Sequence, residues 1–472
     1  MFDKFREECA LMGVWNHREA ANLTYLGLYA QQHRGQEGAG IVSFDDQANQ
    51  AVHRGLGLVA EVFQDFNFGH LPGRRAIGHA RYTTAGGNKL ANVQPLSAEI
   101  SLGEMAVAHN GNLINAEQLR RDLISDGAIF SATSDTEVFI HLLARGKKNV
   151  PLVESVIAAL QQVKGAFSLL FLFRDRLIAV RDPNGLRPLV LGELDGATIL
   201  ASETCAFDLV GAKYVRDVAP GEVIEICGER EIKSYFPFRQ TKPSPCVFEY
   251  VYFARPDSNV FGRNVYAVRK RFGEELAREH PVVADIVIPV PDSGTTAAIG
   301  YSQVAGIPLE LGLIRNHYVG RTFIEPQQSI RDFGVKIKLN ANSELLRGKS
   351  IVVIDDSIVR GTTSRKLVQM LRTAGAREVH LRISAPPTIG PCYYGIDTPE
   401  REDLIAAQKT IPEVAQFIGV DSLGYLSLEG LYRAVNSPPG KFCDACFSNH
   451  YPIGTTDQTT ATQTELFSIN PK

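Results

Sequence analysis

The sequence predicts two domains of different class, a layered α+β domain followed by an α/β domain built on a parallel sheet. The chain has 472 residues, more than one hydrophobic core usually supports. Up to about Gln240, short apolar strands are separated by Gly- and Asn-rich turns and interrupted by two helical stretches. Beyond that point, strand, loop and helix alternate, which is typical of a parallel sheet with ligand loops at the carboxyl ends of its strands.

The individual elements follow from these patterns. In the first domain we expect strands over residues 104–109, 167–173 and 177–181 and helices over 115–126 and 134–146. In the second we expect strands over 284–290, 350–354 and 379–384 and a helix over 364–374. The Pro-rich stretch 237–246 is the candidate linker, so the domains are predicted to span 9–240 and 241–453. Residues 454–472 are polar and Thr-rich, as in a loose tail.

The composition argues against several classes of protein. Apolar residues make up 44% and charged residues 21%, as in a globular protein, and a net charge of -3 gives nucleic-acid binding little support. No segment approaches the ~20 apolar residues of a membrane helix, and the charged N-terminus lacks the apolar core of a signal peptide. Seven cysteines in so long a chain do not form a disulfide framework. We therefore expect a cytoplasmic protein, whose clustered cysteines would indicate metal binding or catalysis.

The most informative stretch is SIVVIDDSIVRGTT, residues 350–363. Four apolar residues predict a buried parallel strand, with Asp355 and Asp356 at its carboxyl end. The following loop leads into a helix, where backbone N–H groups and the Thr362 and Thr363 hydroxyls suit a phosphate. Two adjacent carboxylates would hold sugar hydroxyls, directly or through a divalent cation. These two carboxylates alone do not exclude an ordinary strand end followed by a capped helix.

Two further segments of the second half accompany this stretch. The loop IPVPDSGTT, residues 288–296, follows another predicted strand. Between the two loops, residues 315–339 contain RNHYVGRTF and the pair Lys336 and Lys338. Taken alone, this segment is a solvated basic stretch, which is the usual case.

In the first domain, Cys9 follows the charged leader MFDKFREE and begins an apolar run. Four turn-rich fragments come later: HRGQEGAG (33–40), GHARYTTAG (78–86), AHNGN (108–112) and SDTE (134–137). Individually these fragments indicate turns, since Asn-Gly is above all a hairpin turn, and Arg81 is compatible with a surface cation. Position alone leaves both a stray surface thiol and a catalytic nucleophile open for Cys9.

Four cysteines of the second half form a separate group of candidates. Cys443 and Cys446 make a CxxC, and Cys246 and Cys392 each follow a proline directly. A structural zinc site, a redox pair and no shared function all stay open, and zinc is at least as well supported as iron. The other two, Cys205 and Cys227, are interpreted as small core or near-surface residues.

As a whole, residues 350–363 resemble the motif that binds 5-phosphoribosyl 1-pyrophosphate (PRPP) in type I phosphoribosyltransferases. The resemblance implies that Asp355 and Asp356 bind the ribose hydroxyls and, together with Ser293, one Mg²⁺ per subunit. Further PRPP-binding residues implied by the resemblance are Asp292, Ser293, Arg321, Lys336, Ser357, Arg360, Gly361, Thr362 and Thr363. Arg321, Lys336 and Lys338 would belong to a lid that closes over PRPP and excludes water.

The fragments of the first domain, in their order, resemble the N-terminal-nucleophile glutaminase domain of class II glutamine amidotransferases. This resemblance implies a layered α/β/β/α fold. Removal of the propeptide 1–8 would give Cys9 the free α-amine that acts as base when its thiol attacks the glutamine amide. Arg81 would bind the glutamine carboxylate and Asp135 its α-ammonium group. Asn110 and Gly111 would form the oxyanion hole.

Together the two halves resemble the amidophosphoribosyltransferase family. The expected reaction forms 5-phosphoribosylamine, glutamate and pyrophosphate from PRPP, glutamine and water, the committed step of purine synthesis, with ammonia passing from Cys9 to the PRPP site. The segments that contain Cys246, Cys392, Cys443 and Cys446 resemble those carrying one 4Fe–4S cluster per subunit in one branch of the family. The family also implies a homotetramer or homodimer inhibited by purine nucleotides.

Three other functions are considered. A different class II amidotransferase would share the first half, but it should carry a sugar-isomerase domain in place of residues 350–363. A non-enzymatic PRPP-sensing regulator would keep the phosphate loop, but it should lack the glutaminase residues and present a basic face to DNA. A structural protein with decayed sites is disfavoured, because no motif position that can be checked is missing.

Overall fold

The computed structural model of the chain describes residues 9–82, 89–146, 149–239, 242–316 and 339–455. The predicted propeptide, the lid residues Arg321, Lys336 and Lys338, and positions 456–472 of the predicted tail lie outside these ranges. Within them, the strands form two large antiparallel sheets, one parallel sheet and two small two-stranded sheets.

The first domain contains both antiparallel sheets. The first sheet has seven strands: β1 (Ala10–Trp15), β2 (Gly38–Phe44), β3 (Gln50–Leu56), β4 (Arg75–Arg81), β9 (Val190–Leu194), β10 (Ala197–Ala201) and β11 (Lys213–Asp217). Its order is β11-β9-β10-β1-β4-β2-β3. The second sheet has six strands: β5 (Leu96–Ile100), β6 (Gly103–Leu113), β7 (Gly165–Phe173), β8 (Arg176–Arg181), β12 (Val223–Cys227) and β13 (Glu231–Tyr235). Its order is β13-β12-β8-β7-β6-β5.

Helices cover the outer face of each sheet. They are α1 (Ala20–Ala30), α2 (Val59–Val62), α3 (Ala116–Ser125), α4 (Glu137–Ala144), α5 (Leu152–Leu160) and α6 (Cys205–Val210). Apolar side chains such as Leu11 and Leu170 fill the space between the sheets. Leu28 of α1 lies in the core outside the first sheet, and Phe139 of α4 lies in the core outside the second. The result is the α/β/β/α layering expected from the sequence.

The second domain is built on a four-stranded parallel sheet. Its strands, in spatial order, are β16 (Ile286–Pro289), β19 (Ser350–Asp355), β20 (Glu378–Ile383) and β21 (Ser422–Tyr425). Two small antiparallel sheets pair β14 (Asn259–Val260) with β15 (Arg263–Asn264) and β17 (Leu313–Arg315) with β18 (Leu339–Ala341). Its helices are α7 (Val265–Glu279), α8 (Thr295–Ala305), α9 (Ser343–Leu346), α10 (Thr362–Thr373), α11 (Ile405–Gln408), α12 (Ile411–Ile418), α13 (Leu428–Ala434) and α14 (Ala445–Ser448).

Helices lie on both faces of this parallel sheet. Phe272 of α7 and Tyr301 of α8 belong to the core on one face, and Leu371 of α10 and Ile418 of α12 belong to the core on the other. Every residue of β19 is buried, which explains why its sequence is a continuous apolar run and not an alternating one. The α/β prediction is therefore confirmed.

Several element boundaries differ from the prediction. Strand β6 reaches Leu113, beyond the predicted end at residue 109, because it pairs with β7 from Met105 to Leu113. Helix α10 begins at Thr362, two residues early, directly after the left-handed Gly361. The domain boundary at 240/241 stays a prediction, since both residues lie outside the described ranges. Among the helices described here, none combines the length and the apolar character that crossing a bilayer requires.

Candidate active sites and cysteine cavity

Cys9 lies directly before β1, in the middle of the first sheet. Because Ala10 of β1 pairs with Ala80 of β4, the residue before Ala10 faces Arg81. The Cys9 thiol donates to the carbonyl oxygen of Tyr82 at 3.6 Å. Burial raises the pKa of this thiol to about 11, although Tyr82 and Arg81 act in the opposite direction. The thiol is therefore protonated at neutral pH, and a nucleophilic role requires a base next to it.

Arg34 forms a hydrogen bond with the backbone of Cys9. Its Nε donates to the Cys9 carbonyl oxygen at 3.3 Å. The guanidinium also forms buried ion pairs with Glu203, at 2.5 Å, and with Glu249 of the second domain, at 2.8 Å. These carboxylates outweigh the effect of burial and raise the pKa of Arg34, so the group stays charged. Sequence analysis did not identify this residue, although it lies within the HRGQEGAG fragment.

Asn110 and Gly111 lie side by side near the end of β6. Within the described part of the chain, the side-chain Nδ2 of Asn110 is buried and has no hydrogen-bond partner. Gly111 has φ 147°, and a Cβ at this position would approach the Ala166 carbonyl oxygen to 2.0 Å, so only glycine fits. A buried amide donor without a partner next to a glycine N–H is the arrangement that an oxyanion requires.

Asp135 lies beside the end of β6, near the Cys9 thiol. Its Oδ2 accepts from the backbone N–H of Leu113 at 3.0 Å, and its Oδ1 lies 3.7 Å from His109 Nδ1. Burial alone would raise the pKa of Asp135, but His109 and this backbone N–H outweigh it and hold the pKa below its usual range. An ionised carboxylate is what an α-ammonium group requires. Like Arg81, Asp135 is close enough to influence the charge of the Cys9 thiol.

The paired aspartates lie at the carboxyl end of β19, as predicted. Asp355 accepts from Ser293 Oγ at 3.4 Å, which joins this strand to the loop after β16. Asp356 accepts from Ser357 Oγ at 2.9 Å. Asp355, Asp356 and Ser357 are all buried. The structure thus brings Ser293 and both carboxylates to one edge of the parallel sheet.

The predicted phosphate loop leads directly into α10. Thr362 and Thr363 occupy the first turn of this helix, and no side-chain oxygen caps it at Gly361. Such a helix start presents backbone N–H groups to an anion. The remaining two side chains lie at the surface: Arg360 pairs with Asp403 at 2.8 Å, and Asp292 pairs with Arg315.

The four candidate cysteines, which are far apart in sequence, line one cavity. The backbones of Cys246 and Cys443 are bridged, with Val247 N donating to the Cys443 carbonyl oxygen at 3.1 Å. Cys392 and Cys446 complete the set around the same cavity. All four are free thiols. The fold therefore brings together four cysteines that their spacing in the sequence alone did not group.

Arg187 of the first domain also lines this cavity and was not identified from the sequence. Its side chain is buried, its Nε donates to the carbonyl oxygen of Tyr394 at 3.0 Å, and its Nη1 lies 3.8 Å from Glu249. A buried guanidinium beside four thiols provides positive charge where thiolates would need it.

Comparison with known proteins agrees with this division of the chain. A family model described as a glutamine amidotransferase domain matches residues 79–208, and one described as a phosphoribosyl transferase domain matches residues 264–393. The fold and the two sites therefore define a glutamine-dependent enzyme that transfers a phosphoribosyl group.

Relatives at about half identity extend over nearly the whole chain. Amidophosphoribosyltransferase 1, chloroplastic, of Arabidopsis thaliana is 51% identical over 96% of this chain and 80% of its own length. Amidophosphoribosyltransferase of Bacillus subtilis is 50% identical over 94% of both chains. The structure of the glutamine PRPP amidotransferase of B. subtilis complexed with ADP and GMP superposes with a TM-score of 0.90, at 48% identity, over 96% of this chain and 99% of that one. The chain belongs to the amidophosphoribosyltransferase family, whose reaction is the first step of purine biosynthesis.

Proposed function

We propose that this chain forms 5-phosphoribosylamine, glutamate and pyrophosphate from PRPP, glutamine and water by using two sites in sequence. Ammonia is released at Cys9 and consumed at the PRPP site. One observation carries the proposal: each domain brings together the residues of its own site. In the first domain, Arg81 and Asp135 lie near the Cys9 thiol, and in the second, Ser293 contacts the first of the paired aspartates.

At the first site, the Cys9 sulfur attacks the amide carbon of glutamine. The α-amine that processing before Cys9 frees takes the thiol proton, which the thiol pKa of about 11 makes necessary. Asn110 Nδ2 and the Gly111 N–H stabilise the oxygen that becomes negative in the tetrahedral intermediate. Ammonia leaves with the transferred proton, and water hydrolyses the thioester to glutamate and free Cys9. Arg81 and Asp135 hold the carboxylate and α-ammonium groups of glutamine.

At the second site, the nitrogen of ammonia attacks the anomeric carbon of PRPP and pyrophosphate leaves. The loop 357–363 and the start of α10 hold the 5-phosphate, and Asp355 and Asp356 hold the ribose hydroxyls. Asp292 and Ser293, with Arg321 and Lys336, are assigned to the pyrophosphate. The protein contributes positioning and charge neutralisation and no covalent chemistry of its own.

The oxygen atoms of Ser293, Asp355 and Asp356 also fit Mg²⁺, which prefers carboxylate and hydroxyl ligands. Bound there, the ion would neutralise part of the pyrophosphate charge. Asp355 and Asp356 are buried side by side, so a nearby cation would also offset their mutual repulsion.

We assign a 4Fe–4S cluster to Cys246, Cys392, Cys443 and Cys446. Four thiols around one cavity match the ligand number of such a cluster. Among the residues that the structure describes, no group of three or more His, Cys, Asp or Glu side chains is arranged to hold a metal ion, so the assignment rests on the number of thiols around the cavity and on the resemblance of their segments. Anaerobically purified protein should contain about four irons per chain, and one zinc without iron would contradict the assignment.

Purine nucleotides are proposed as ligands that inhibit the enzyme, because the solved B. subtilis relative is complexed with ADP and GMP. We also propose a homotetramer or homodimer. Inhibition by ADP and GMP, separately and together, and sedimentation at several protein concentrations test these two points directly.

The two-site proposal is tested with Cys9→Ala. This variant should lose glutamine-dependent synthesis and keep ammonia-dependent synthesis at high pH, because the PRPP site is separate. Mass analysis of the intact wild-type chain, with N-terminal sequencing, establishes whether Cys9 is the first residue. Equal loss of both activities in the variant would contradict a division of labour between two sites.

A further inference from the structure

One turn of the second domain contacts the strand that contains the proposed oxyanion hole. This turn, residues 392–396, leaves the cysteine cavity and lies against the end of β6. The side-chain Nδ2 of Asn112 donates to the Tyr393 carbonyl oxygen at 3.0 Å. A Cβ placed on Gly395 would lie 2.9 Å from the carbonyl carbon of Gly111. The backbones of Gly395 and Gly111 are therefore in direct contact across the domain interface.

The 392–396 turn is itself held on both sides. Cys392 lines the cavity, and its Sγ accepts from the Tyr394 N–H at 3.3 Å. Arg187 donates to the Tyr394 carbonyl oxygen at 3.0 Å, and the Tyr394 hydroxyl donates to the Gly454 carbonyl oxygen at 2.6 Å. A turn held by this many hydrogen bonds has one well-defined position, so it can fix the position of a neighbour.

We propose that the 392–396 turn positions the oxyanion hole of the other domain. Gly395 supports the backbone of Gly111, and Tyr393 fixes Asn112 one residue further along the strand. The inference rests on the proposed role of Asn110 and Gly111 in stabilising the oxyanion. Neither Gly395 nor Asn112 is assigned a contact with glutamine here; both act through the strand as positioning residues.

The expected effect follows from the closeness of this contact. A methyl group at Gly395 would be roughly 0.6 Å nearer to the Gly111 carbonyl carbon than the ~3.5 Å at which carbon atoms pack favourably. The Gly111 N–H must then shift by a comparable amount. Misplacement of about 1 Å in an active site costs on the order of 100-fold in rate. Gly395→Ala should lower kcat for glutamine hydrolysis by about 10- to 100-fold.

The experiment compares three steady-state quantities in the full-length enzyme. Gly395→Ala should lower kcat for glutamine hydrolysis, leave KM for glutamine within about twofold because Arg81 and Asp135 are untouched, and leave ammonia-dependent synthesis within about twofold. Asn112→Ala is a second variant, expected to lower the same kcat by a smaller factor, and it decides the question if Gly395→Ala does not fold. A parallel fall in ammonia-dependent synthesis in the variant that folds would refute positioning, because it indicates general damage to the interface.

Gly419→Ala is the matched control. Gly419 lies in the same domain and also has a left-handed φ, 86°, but a Cβ there would meet nothing within 4 Å. This variant also places alanine at a positive φ, as Gly395→Ala does at φ 107°, but without the contact, and its kcat should equal that of the wild type. Asn110→Ala separates the two hypotheses. If it leaves kcat unchanged, the oxyanion hole itself is wrongly assigned. If it lowers kcat while Gly395→Ala and Asn112→Ala do not, the positioning role is refuted.

Discussion

Replacing Arg34 by methionine tests the buried charge network that supports Cys9. Arg34 has 0% of its side chain exposed, and so do its partners Glu203 and Glu249. Methionine keeps most of the apolar stem of the side chain but removes the guanidinium. Glu203 would retain His33 and Ser258 as partners, at 2.8 Å and 2.7 Å, whereas Glu249 would retain Arg187 at 3.8 Å. The perturbation therefore leaves one carboxylate poorly compensated in the interior.

Breaking a buried ion pair by removing one partner costs about 3–5 kcal/mol. Because Glu203 keeps His33, Ser258 and the Arg255 backbone N–H as partners, we expect Arg34→Met to fall in the lower part of that range, at about 3 kcal/mol of unfolding free energy. The exposed pair Arg121–Glu117 on α3 of the same domain provides the control, with side chains 62% and 86% exposed and 3.8 Å apart. Arg121→Met should cost less than about 1 kcal/mol.

The assay is urea unfolding followed by tryptophan fluorescence. The single tryptophan, Trp15, lies on β1 and reports on the domain that contains Arg34. A loss below about 1 kcal/mol for Arg34→Met, equal to that of the control, would refute the argument that these buried charges depend on each other. A second measurement follows from the bond to the Cys9 carbonyl oxygen, since glutamine hydrolysis should also slow in this variant.

Three further predictions concern single residues. Burial raises the pKa of the Cys9 thiol from 9.0 to about 11, so protein that still carries residues 1–8 should react with iodoacetamide at Cys9 about 100-fold more slowly at pH 8 than a free thiol does. The alkylation rate, followed by peptide mass spectrometry, should rise up to about pH 11, and a plateau near pH 9 would contradict this. Asp356→Asn should lower glutamine- and ammonia-dependent synthesis together, by at least tenfold, because both use the PRPP site, whereas selective loss of one would be inconsistent with that role. If the proposed 4Fe–4S cluster is bound, Arg187→Gln should make its reduction potential more negative by on the order of 59 mV, a tenfold change in the redox equilibrium, because a positive charge that favours the reduced state is lost. Voltammetry that gives the same value for Arg187→Gln, Arg187→Lys and wild type would contradict it.

The fold was predictable where the local pattern and the tertiary environment agree. Strand β19 is buried on both faces, so its apolar run was sufficient to identify it. Helix α7 was not predicted, although Val265, Val268 and Phe272 follow the three- and four-residue spacing of an amphipathic helix. What this pattern does not show is that Arg269 on the same helix is also buried. The Arg269 guanidinium donates hydrogen bonds to the carbonyl oxygens of Tyr250 and Ala254. These partners are brought next to it only in the folded chain, so the sequence pattern does not show that the side chain can be buried.

The candidate sites show the same limit. The order of the motifs was enough to name Cys9, Asn110 and Asp135, since their residue types match a known chemistry. Arg34 and Arg187 were missed because their function depends on what lies opposite them in the other domain, and no sequence spacing encodes that partner. The four cysteines represent an intermediate case, since a resemblance grouped them and the fold then placed them around one cavity.

Glu249 explains how one interface can serve both the thiol site and the cysteine cavity. It lies three residues after Cys246, in the first turn of the second domain, and it faces Arg34 at 2.8 Å and Arg187 at 3.8 Å. An apolar interface would tolerate small sliding movements, since hydrophobic contacts are not directional. A buried carboxylate between two guanidinium groups does not, because any shift that breaks a pair leaves a charge without compensation. The two ion pairs therefore oppose sliding of one domain past the other, the movement that would separate Gly395 from Gly111.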